Sequence, residues 1–221
     1  MNRKPILYFD YDGTIHDTMR IYKPAVIQVT EALIGSGYEV EVPSDERIAS
    51  WLGMTAADMW QDFCPDLPRK TRDEAGKKVG AIMTELTKAG QAAWYQGAEE
   101  VLTEFRNRGY SLAVLSNCSV GYAREQWEAF RMERWFSAFY DSESYGWIPK
   151  PEILKEITAE ESYPVIMIGD RETDMISGHA AGGNSIGCLY GFGSEEELQT
   201  ADFLVKNIKE LPAAAALLER K

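Results

Sequence analysis

Short apolar runs separated by helical patterns constrain the fold of this chain most. The runs carry no charged residue and have the length and unbroken hydrophobicity of strands that are buried on both faces. They are Ile6 to Phe9, Ser111 to Leu115, Val165 to Ile168 and Ile186 to Leu189, with Phe203 to Val205 as a candidate fifth. Helical patterns lie between them at Ala98 to Arg108, Val120 to Arg131 and Thr173 to Ala181. This alternation predicts an α/β fold with a parallel sheet.

The alternation fails between the first strand and the second. An ordinary crossover needs only about a dozen residues, but this segment is far longer and contains no convincing strand. Its predicted helices are Met19 to Ile34, Ser44 to Leu52 with Ser44 as N-cap, Thr55 to Phe63 and Lys70 to Ala93. We therefore expect two domains: an α/β core formed by residues 1–16 and 95–221, and an inserted helical domain formed by residues 17–94.

The amino-acid composition argues against some classes of binding partner. The 23 basic and 35 acidic residues give a formal net charge of −12, which provides no general attraction to nucleic acid or to an anionic membrane. No apolar run approaches the roughly 20 residues of a membrane span. The three cysteines show no CxxC spacing, which favours buried reduced thiols over a disulfide frame or a zinc site. We expect a cytoplasmic protein that binds neither nucleic acid nor membrane.

Two acids follow the first predicted strand directly. Asp10 and Asp12 are separated by one residue and are followed by Gly13, which permits a sharp turn. Because the carboxyl ends of parallel strands form the usual site of an open α/β sheet, both carboxylates are candidates for catalysis. The alternative is an ordinary turn with solvated acids.

Polar residues also follow two later strands. Ser116 and Asn117 end the second strand and offer a hydroxyl and backbone N–H groups, which suit phosphate oxygens, although the same pair is also typical of a helix N-cap. Asp170 ends the strand that begins at Val165, and Asp174 comes four residues later. Carboxylates are ligands that Mg²⁺ prefers, so Asp10, Asp12 and Asp170 predict a metal site, whereas Asp174 is either a ligand or a helix-capping acid.

Lys150 stands between two prolines, which restrict the backbone around it. A cation held rigidly in this way is costly to bury without an anion. Taken alone, the residue is more typical of an exposed loop lysine, since surface lysines in loops are common.

These signals occur in a fixed order, and together they resemble the four motifs of the haloacid dehalogenase (HAD) superfamily. They match Asp-x-Asp-Gly-Thr at 10–14, Ser-Asn at 116–117, Lys150 between its prolines, and Gly-Asp-x-x-x-Asp at 169–174. The resemblance covers essentially the whole chain and is strongest to the phosphoglycolate phosphatase group. It implies a Rossmann-like parallel-sheet core, and it identifies the insertion as an all-helical cap domain of the first type.

The resemblance implies a Mg²⁺-dependent phosphatase. Asp10 would be the nucleophile that forms an aspartyl-phosphate, and Asp12 would be the general acid and base. Ser116, the Asn117 backbone and Lys150 would hold the phosphoryl oxygens. The metal ligands would be Asp10, Asp170, Asp174 and the backbone carbonyl of Asp12.

The resemblance leaves the substrate open. The stretches 169–174 and 190–198 are similar both to phosphoglycolate phosphatases and to 5′-nucleotidases, and Arg171 stands where other subgroups often carry a small residue. The expected partner is therefore a small phosphorylated metabolite, bound by a monomer or a homodimer. The resemblance implies that specificity resides in residues 17–93, in which we find no substrate signature.

Two other functions remain as alternatives. A phosphotransferase or mutase of the β-phosphoglucomutase type is disfavoured because Thr14 is typical of phosphatases in this group. A HAD-like binding protein without catalysis would be expected to lack one of the motif residues, and all of them are present. His16 follows the first motif without a metal-ligand partner at a useful spacing. We interpret it as structural, and its position leaves open the alternative that it lines the site.

Overall fold

The computed structural model describes residues 4–160 and 163–219. They form two compact units: one contains the described residues of Met1–His16 and Trp94–Lys221, and the other is Asp17–Ala93. Trp94 thus belongs to the first unit, one residue earlier than the boundary that the sequence suggested.

The first unit is an α/β structure around a six-stranded sheet. The strands are β1 (Ile6–Phe9), β2 (Ser111–Ser116), β3 (Phe139–Asp141), β4 (Val165–Gly169), β5 (Asn184–Cys188) and β6 (Phe203–Val205). Every pairing is parallel, in the order β3-β2-β1-β4-β5-β6. The predicted α/β class with a Rossmann-like parallel sheet is confirmed, and β3 is the strand that the sequence analysis missed.

The sheet is buried on both faces. Leu7 and Phe9 of β1 lie in one apolar cluster, whereas Tyr8 lies in the other, as the two-residue repeat of a strand requires. The helices of this unit are α5 (Ala98–Asn107), α6 (Val120–Phe130), α7 (Lys150–Thr158), α8 (Glu172–Ala180) and α9 (Leu211–Leu218). Helices α5 and α9 pack in the first cluster and α7 in the second. Strands β1, β2 and β4, whose ends carry the motif residues, are therefore packed between helices on both faces of the sheet.

The second unit is entirely helical within its assigned elements. Its helices are α1 (Met19–Gly35), α2 (Asp45–Ser50), α3 (Ala56–Phe63) and α4 (Arg69–Lys88). The Ser44 and Thr55 side chains accept hydrogen bonds from the backbone N–H groups of Arg47 and Asp58, each at 3.2 Å, so the N-cap predicted at Ser44 is present.

The predicted end of the last cap helix is wrong. Helix α4 ends at Lys88 rather than at Ala93, because Gly90 adopts a φ of +73°, the left-handed conformation in which helices commonly end. In the part of the chain that the structure covers, no helix combines the length and the apolarity needed to cross a membrane.

Candidate active site

Three neighbouring strands bring the motif residues to one edge of the sheet. Strand β1 lies between β2 and β4, with Phe9 level with Val114 on one side and with Ile168 on the other. Asp10 leaves β1 at this level, Ser116 ends β2, and Asp170 follows β4. Because all three strands are parallel, their carboxyl ends coincide and the polar residues after them converge.

A cluster of three buried acids and one lysine occupies this edge. Asp10, Asp170 and Asp174 each offer a carboxylate oxygen, and these oxygens all lie within 4.8 Å of one another. Lys150 Nζ donates to Asp10 Oδ1 and to Asp174 Oδ1, both at 2.7 Å. The Lys150 side chain is only 4% exposed, so this residue is not the exposed loop lysine that remained as an alternative.

Local structure explains how Lys150 reaches the acids. Pro149 has φ −57° and ψ 140°, and Lys150 is the first residue of α7. Pro151 stands in the first turn, where the missing N–H costs no hydrogen bond. The two prolines therefore start a helix at this lysine instead of holding it in an extended loop.

The cluster carries unbalanced charge. Three carboxylates and one ammonium leave a formal charge of −2 in a buried site. Burial raises the pKa of Asp10 well above its ordinary value against the opposing effect of Lys150, and burial followed by repulsion from Asp174 raises the pKa of Asp170 to about 7. Burial alone would lower the pKa of Lys150, but Asp10 and Asp174 raise it above its usual value. A divalent cation would neutralise the remaining charge.

Hard oxygen ligands in this number fit a magnesium ion, which takes a few carboxylates together with water and phosphate oxygens. Their positions are fixed by neighbours. Thr14 Oγ1 donates to Asp170 Oδ1 at 3.2 Å, and the Phe192 backbone N–H donates to Asp170 Oδ2 at 2.8 Å. The Arg171 backbone N–H donates to Asp174 Oδ2 at 3.0 Å, so Asp174 both caps α8 and faces the cluster.

Gly13 is required by the shape of this cluster. Its φ is +88°, and a Cβ atom at this position would collide with the Asp170 carboxylate and the Phe192 ring. Only glycine therefore lets the chain turn after Asp12 while Asp170 keeps its position.

The Asp12 carboxylate lies in a separate hydrogen-bond network. Tyr122 Oη donates to Asp12 Oδ1 at 2.7 Å, and His16 Nδ1 lies 3.2 Å from the same oxygen and 3.1 Å from Tyr122 Oη. The prediction that Asp12 gives its backbone carbonyl to the metal would leave this carboxylate for proton transfer. His16 is fully buried and contacts a predicted catalytic residue, so its position fits the alternative that it lines the site.

Ser116 and Asn117 lie where the sequence placed them, at the end of β2. Ser116 is buried, and Asn117 Oδ1 accepts a hydrogen bond from Ser142 Oγ at 2.9 Å. The N-cap of the following helix α6 is Ser119, whose Oγ accepts from the Tyr122 N–H at 3.3 Å. The capping alternative therefore applies to Ser119, not to Ser116 or Asn117.

Three site residues escaped the sequence analysis. Tyr122 contacts Asp12, Tyr190 Oη donates to the Thr14 carbonyl at 2.9 Å, and Phe192 binds Asp170. Phe192 and Tyr190 lie in the stretch 190–198, whose family resemblance was the available signal. Tyr122 had no such signal, because a tyrosine in the first turn of a helix is common on helix surfaces.

The cysteines are not part of the chemistry. All three are buried and free. Burial, reinforced by nearby acids including Asp12, raises the pKa of Cys118 well above its ordinary value, and burial raises the pKa of Cys64 to about 11. Neutral, buried thiols of this kind are poor nucleophiles.

Residues 7–188 match the family model of the haloacid dehalogenase-like hydrolases, and the chain belongs to this family. Since the match includes Asp10, Ser116, Lys150 and Asp170, it spans the acid cluster.

Phosphatases are among the relatives of the chain. It is 26% identical over 207 residues to a phosphoglycolate phosphatase of Haemophilus influenzae, covering 85% of this chain and 86% of that protein. It is 29% identical over 204 residues to a 5′-nucleotidase of Pseudomonas aeruginosa, covering 89% and 88% of the two proteins. The predictions of the HAD family and of an enzyme of the phosphatase class are confirmed.

Solved structures show the same fold. The crystal structure of a protein described as a predicted phosphoglycolate phosphatase from Haemophilus somnus 129pt superposes with a TM-score of 0.83 at 18% identity, covering 97% of this chain and 99% of the other. At this identity the likeness supports the architecture and not the substrate.

Proposed function

We propose that the protein is a Mg²⁺-dependent phosphomonoesterase that hydrolyses a small phosphorylated metabolite through an aspartyl-phosphate on Asp10. The observation that carries the proposal is the buried cluster in which Lys150 joins Asp10 to Asp174 beside Asp170. Its formal charge of −2 suits a divalent cation, and the same cation would offset repulsion between the acids and a phosphate dianion.

Asp10 is the nucleophile of the proposed reaction. It follows β1 directly, is 5% exposed and has one oxygen fixed by Lys150, so a carboxylate oxygen is held at a defined position. In the first step an Asp10 oxygen bonds to phosphorus while the bond between phosphorus and the leaving oxygen breaks. In the second step water attacks phosphorus, which releases inorganic phosphate and restores the Asp10 carboxylate.

Asp12 moves the protons of both steps. It gives a proton to the leaving oxygen as the substrate bond breaks, and it then takes a proton from the attacking water. Its carboxylate contacts Tyr122 Oη and His16 Nδ1, which hold one of its oxygens at a defined position.

The phosphoryl oxygens bind to Lys150, to the Ser116 hydroxyl and to the Asn117 backbone N–H. When bound, Mg²⁺ supplies positive charge that orients the phosphoryl group and stabilises negative charge on its oxygens. Asp10, Asp170, Asp174 and the Asp12 carbonyl would hold it. Residues 17–93 form the cap that selects the leaving group, with phosphoglycolate and nucleoside monophosphates as the two substrate classes suggested by the relatives.

The test is phosphate release from phosphoglycolate, nucleoside 5′-monophosphates, sugar phosphates and p-nitrophenyl phosphate, with Mg²⁺ or with EDTA. We expect metal-dependent release by the wild type and none by Asp10→Asn. Lys150→Ala should lower kcat/KM by roughly 10²- to 10³-fold, since it removes a positioned charge stabiliser. Lys155→Ala is the matched control, because Lys155 is an exposed lysine on the same helix.

Release in EDTA at the rate found with Mg²⁺ would contradict the metal dependence. Near-wild-type turnover by Asp10→Asn would contradict the nucleophile. A phosphorylated product formed from a sugar phosphate without free phosphate would support the mutase instead.

A further inference from the structure

Two side chains contact the same oxygen of the Asp12 carboxylate. Tyr122 Oη donates to Oδ1 at 2.7 Å, a distance typical of a strong hydrogen bond to a charged acceptor. His16 Nδ1 lies 3.2 Å from the same Oδ1. Side chains that reach the same carboxylate oxygen restrict the rotation of the carboxyl group.

The neighbours of Tyr122 and His16 hold them rigidly. Ser119 caps helix α6 by accepting from the Tyr122 N–H at 3.3 Å, which fixes the backbone under the Tyr122 ring. His16 stacks on the Tyr11 ring with a centroid separation of 5.1 Å and an interplanar angle of 20°. The Tyr122 ring packs edge-on against the same Tyr11 ring, with a centroid separation of 6.3 Å and an interplanar angle of 70°. Both side chains are therefore held by a shared aromatic neighbour.

Helix α6 anchors the turn between the two aspartates as well. Tyr11 Oη donates to Gln126 Oε1 at 3.0 Å and accepts from Trp94 Nε1 at 3.1 Å. Gln126 lies four residues after Tyr122 and therefore projects from the same face of α6. One helix face therefore holds Asp12 through its carboxylate and Tyr11 through its hydroxyl, at two consecutive residues of the turn.

We propose that Tyr122 and His16 are positioning residues that fix Asp12 Oδ1 and thereby direct Oδ2 to exchange the proton with the leaving oxygen. This inference rests on the proposed function, because it assigns partners to the general acid of that reaction. As the bond between phosphorus and the leaving oxygen breaks, the proton on Oδ2 passes to that oxygen while Oδ1 keeps both hydrogen bonds. Burial, followed by the Asp12 charge, raises the pKa of Tyr122, which keeps its hydroxyl protonated and donating.

The experiment compares two substrates of nearly equal size with unequal need for an acid. p-Nitrophenolate leaves readily without a proton, whereas phenolate is a much poorer leaving group. We would measure kcat/KM, which reports the steps up to the aspartyl-phosphate, for p-nitrophenyl phosphate and phenyl phosphate with Mg²⁺. Tyr122→Phe should lower the value for phenyl phosphate about tenfold, a fraction of the usual effect of a general acid, and change that for p-nitrophenyl phosphate by less than about twofold.

A matched variant controls for the loss of a tyrosine hydroxyl. Tyr110 is buried before the amino end of β2, and within the described residues its hydroxyl has no hydrogen-bond partner. Tyr110→Phe should leave both substrates unchanged. His16→Asn keeps an N–H near the position of Nδ1 and should retain most of the phenyl phosphate activity, whereas His16→Leu should show the same substrate-dependent loss as Tyr122→Phe.

An equal loss on both substrates by Tyr122→Phe would show a merely structural role, and no loss on either would show that Asp12 needs no such partner. Higher activity on phenyl phosphate would mean that the network holds Asp12 in a resting position, and would also overturn the inference. If the wild type hydrolyses neither substrate with Mg²⁺, the proposed function fails first. Thermal denaturation of each variant shows whether it is folded.

Discussion

At the scale of single residues, the main property of the site is its excess of buried negative charge. Asp10, Asp170 and Asp174 are all buried, and Lys150 alone of the described cations hydrogen-bonds to Asp10 and Asp174. A buried charge without compensation is expensive, and the pKa values of Asp10 and Asp170 are accordingly raised above their ordinary values by burial. Metal binding and the protonation of these acids are therefore linked.

This linkage predicts how stability depends on pH. The pKa of Asp170 is raised to about 7 in the folded protein, above the value of about 3.9 for an unfolded chain, so the folded state binds the proton more tightly. Asp170 should therefore make the metal-free protein less stable as the pH rises from about 4 to about 7. Mg²⁺ needs ionised carboxylates, so its stabilising effect should grow across the same interval.

Thermal denaturation with excess Mg²⁺ or with EDTA, at about pH 5.5 and about pH 8, checks this prediction. A hundredfold excess over Kd contributes about 2.7 kcal/mol, which corresponds to a Tm increase of roughly 5–10 °C at the higher pH. Asp170→Asn should remove most of the Mg²⁺ effect, and Glu172→Gln, an exposed acid at the start of α8, should retain it. An equal Mg²⁺ effect at both values of pH would contradict the linkage.

At the scale of elements, the strands that could be predicted from the sequence are those with long apolar runs. Strands β1, β2 and β4 are apolar runs long enough to identify, and the acids after β1 and β4 follow from the ends of those strands. Strand β5 was identified from its apolar end, but it begins at Asn184, two residues before the predicted Ile186. Strand β3 has only three residues and ends in Asp141, so no pattern identifies it. Helix α7 was missed because its first turn contains Pro151, which is favourable there but resembles a helix breaker in sequence.

The contacts around Asp12 could not be predicted for another reason. Tyr122 and Asp12 are 110 residues apart, and their hydrogen bond depends on the angle at which α6 leaves β2. Sequence spacing places a residue on a helix but does not give the direction of its side chain in the assembled core. Asp10, Ser116 and Asp170 could be predicted because each lies at the end of a strand, whereas Tyr122 comes from a helix.

Asp174 has two proposed roles, since it caps helix α8 and belongs to the metal-binding acids. Two substitutions at this position separate the roles. Its Oδ2 accepts from the Arg171 N–H, and its Oδ1 accepts from Lys150. Asp174→Asn keeps an oxygen for the cap but loses the charge, whereas Asp174→Ala loses both. We expect both variants to weaken Mg²⁺ activation by at least about tenfold, and in EDTA only Asp174→Ala to lose about 1 kcal/mol from the missing cap.

Urea denaturation in EDTA and Mg²⁺ titration of phosphate release measure the two effects independently. Equal stability of the alanine and asparagine variants would show that the carboxyl does not cap α8. Wild-type Mg²⁺ activation in the asparagine variant would show that Asp174 is a capping acid only.

At the scale of the whole molecule, two compact units divide the chain. The core unit contains the acid cluster and the proposed proton-transfer residues. It is formed by the segments that precede and follow the helical unit in the sequence. The ends of the helical unit are joined by the Asp17 N–H, which donates to the Ala93 carbonyl at 2.9 Å. An insertion whose ends meet in this way can vary in sequence without disturbing the strands on which the site depends.

Several charged and aromatic side chains of the helical unit already have partners inside that unit. Arg20 pairs with Asp17 at 2.8 Å, and Arg47 pairs with Asp62 at 2.7 Å. Trp51 and Trp60 are each 1% exposed, so they belong to the core of the unit. We therefore expect substrate specificity to depend on the whole helical unit and not on one charged or aromatic residue.

Exchange of the helical unit tests its proposed role as the cap. Residues 17–93 would be replaced by the corresponding segment of the Haemophilus influenzae phosphoglycolate phosphatase in one chimera and of the Pseudomonas aeruginosa 5′-nucleotidase in the other. If the unit selects the leaving group, the ratio of kcat/KM for phosphoglycolate and for a nucleoside monophosphate should move toward that of each donor, by about tenfold or more, because differential contacts of 1–3 kcal/mol are typical of such selection. Hydrolysis of p-nitrophenyl phosphate by both chimeras would show that the core has remained intact. An unchanged ratio in two active chimeras would assign specificity to the core, and the search for its determinants would then begin with the residues around the strand ends.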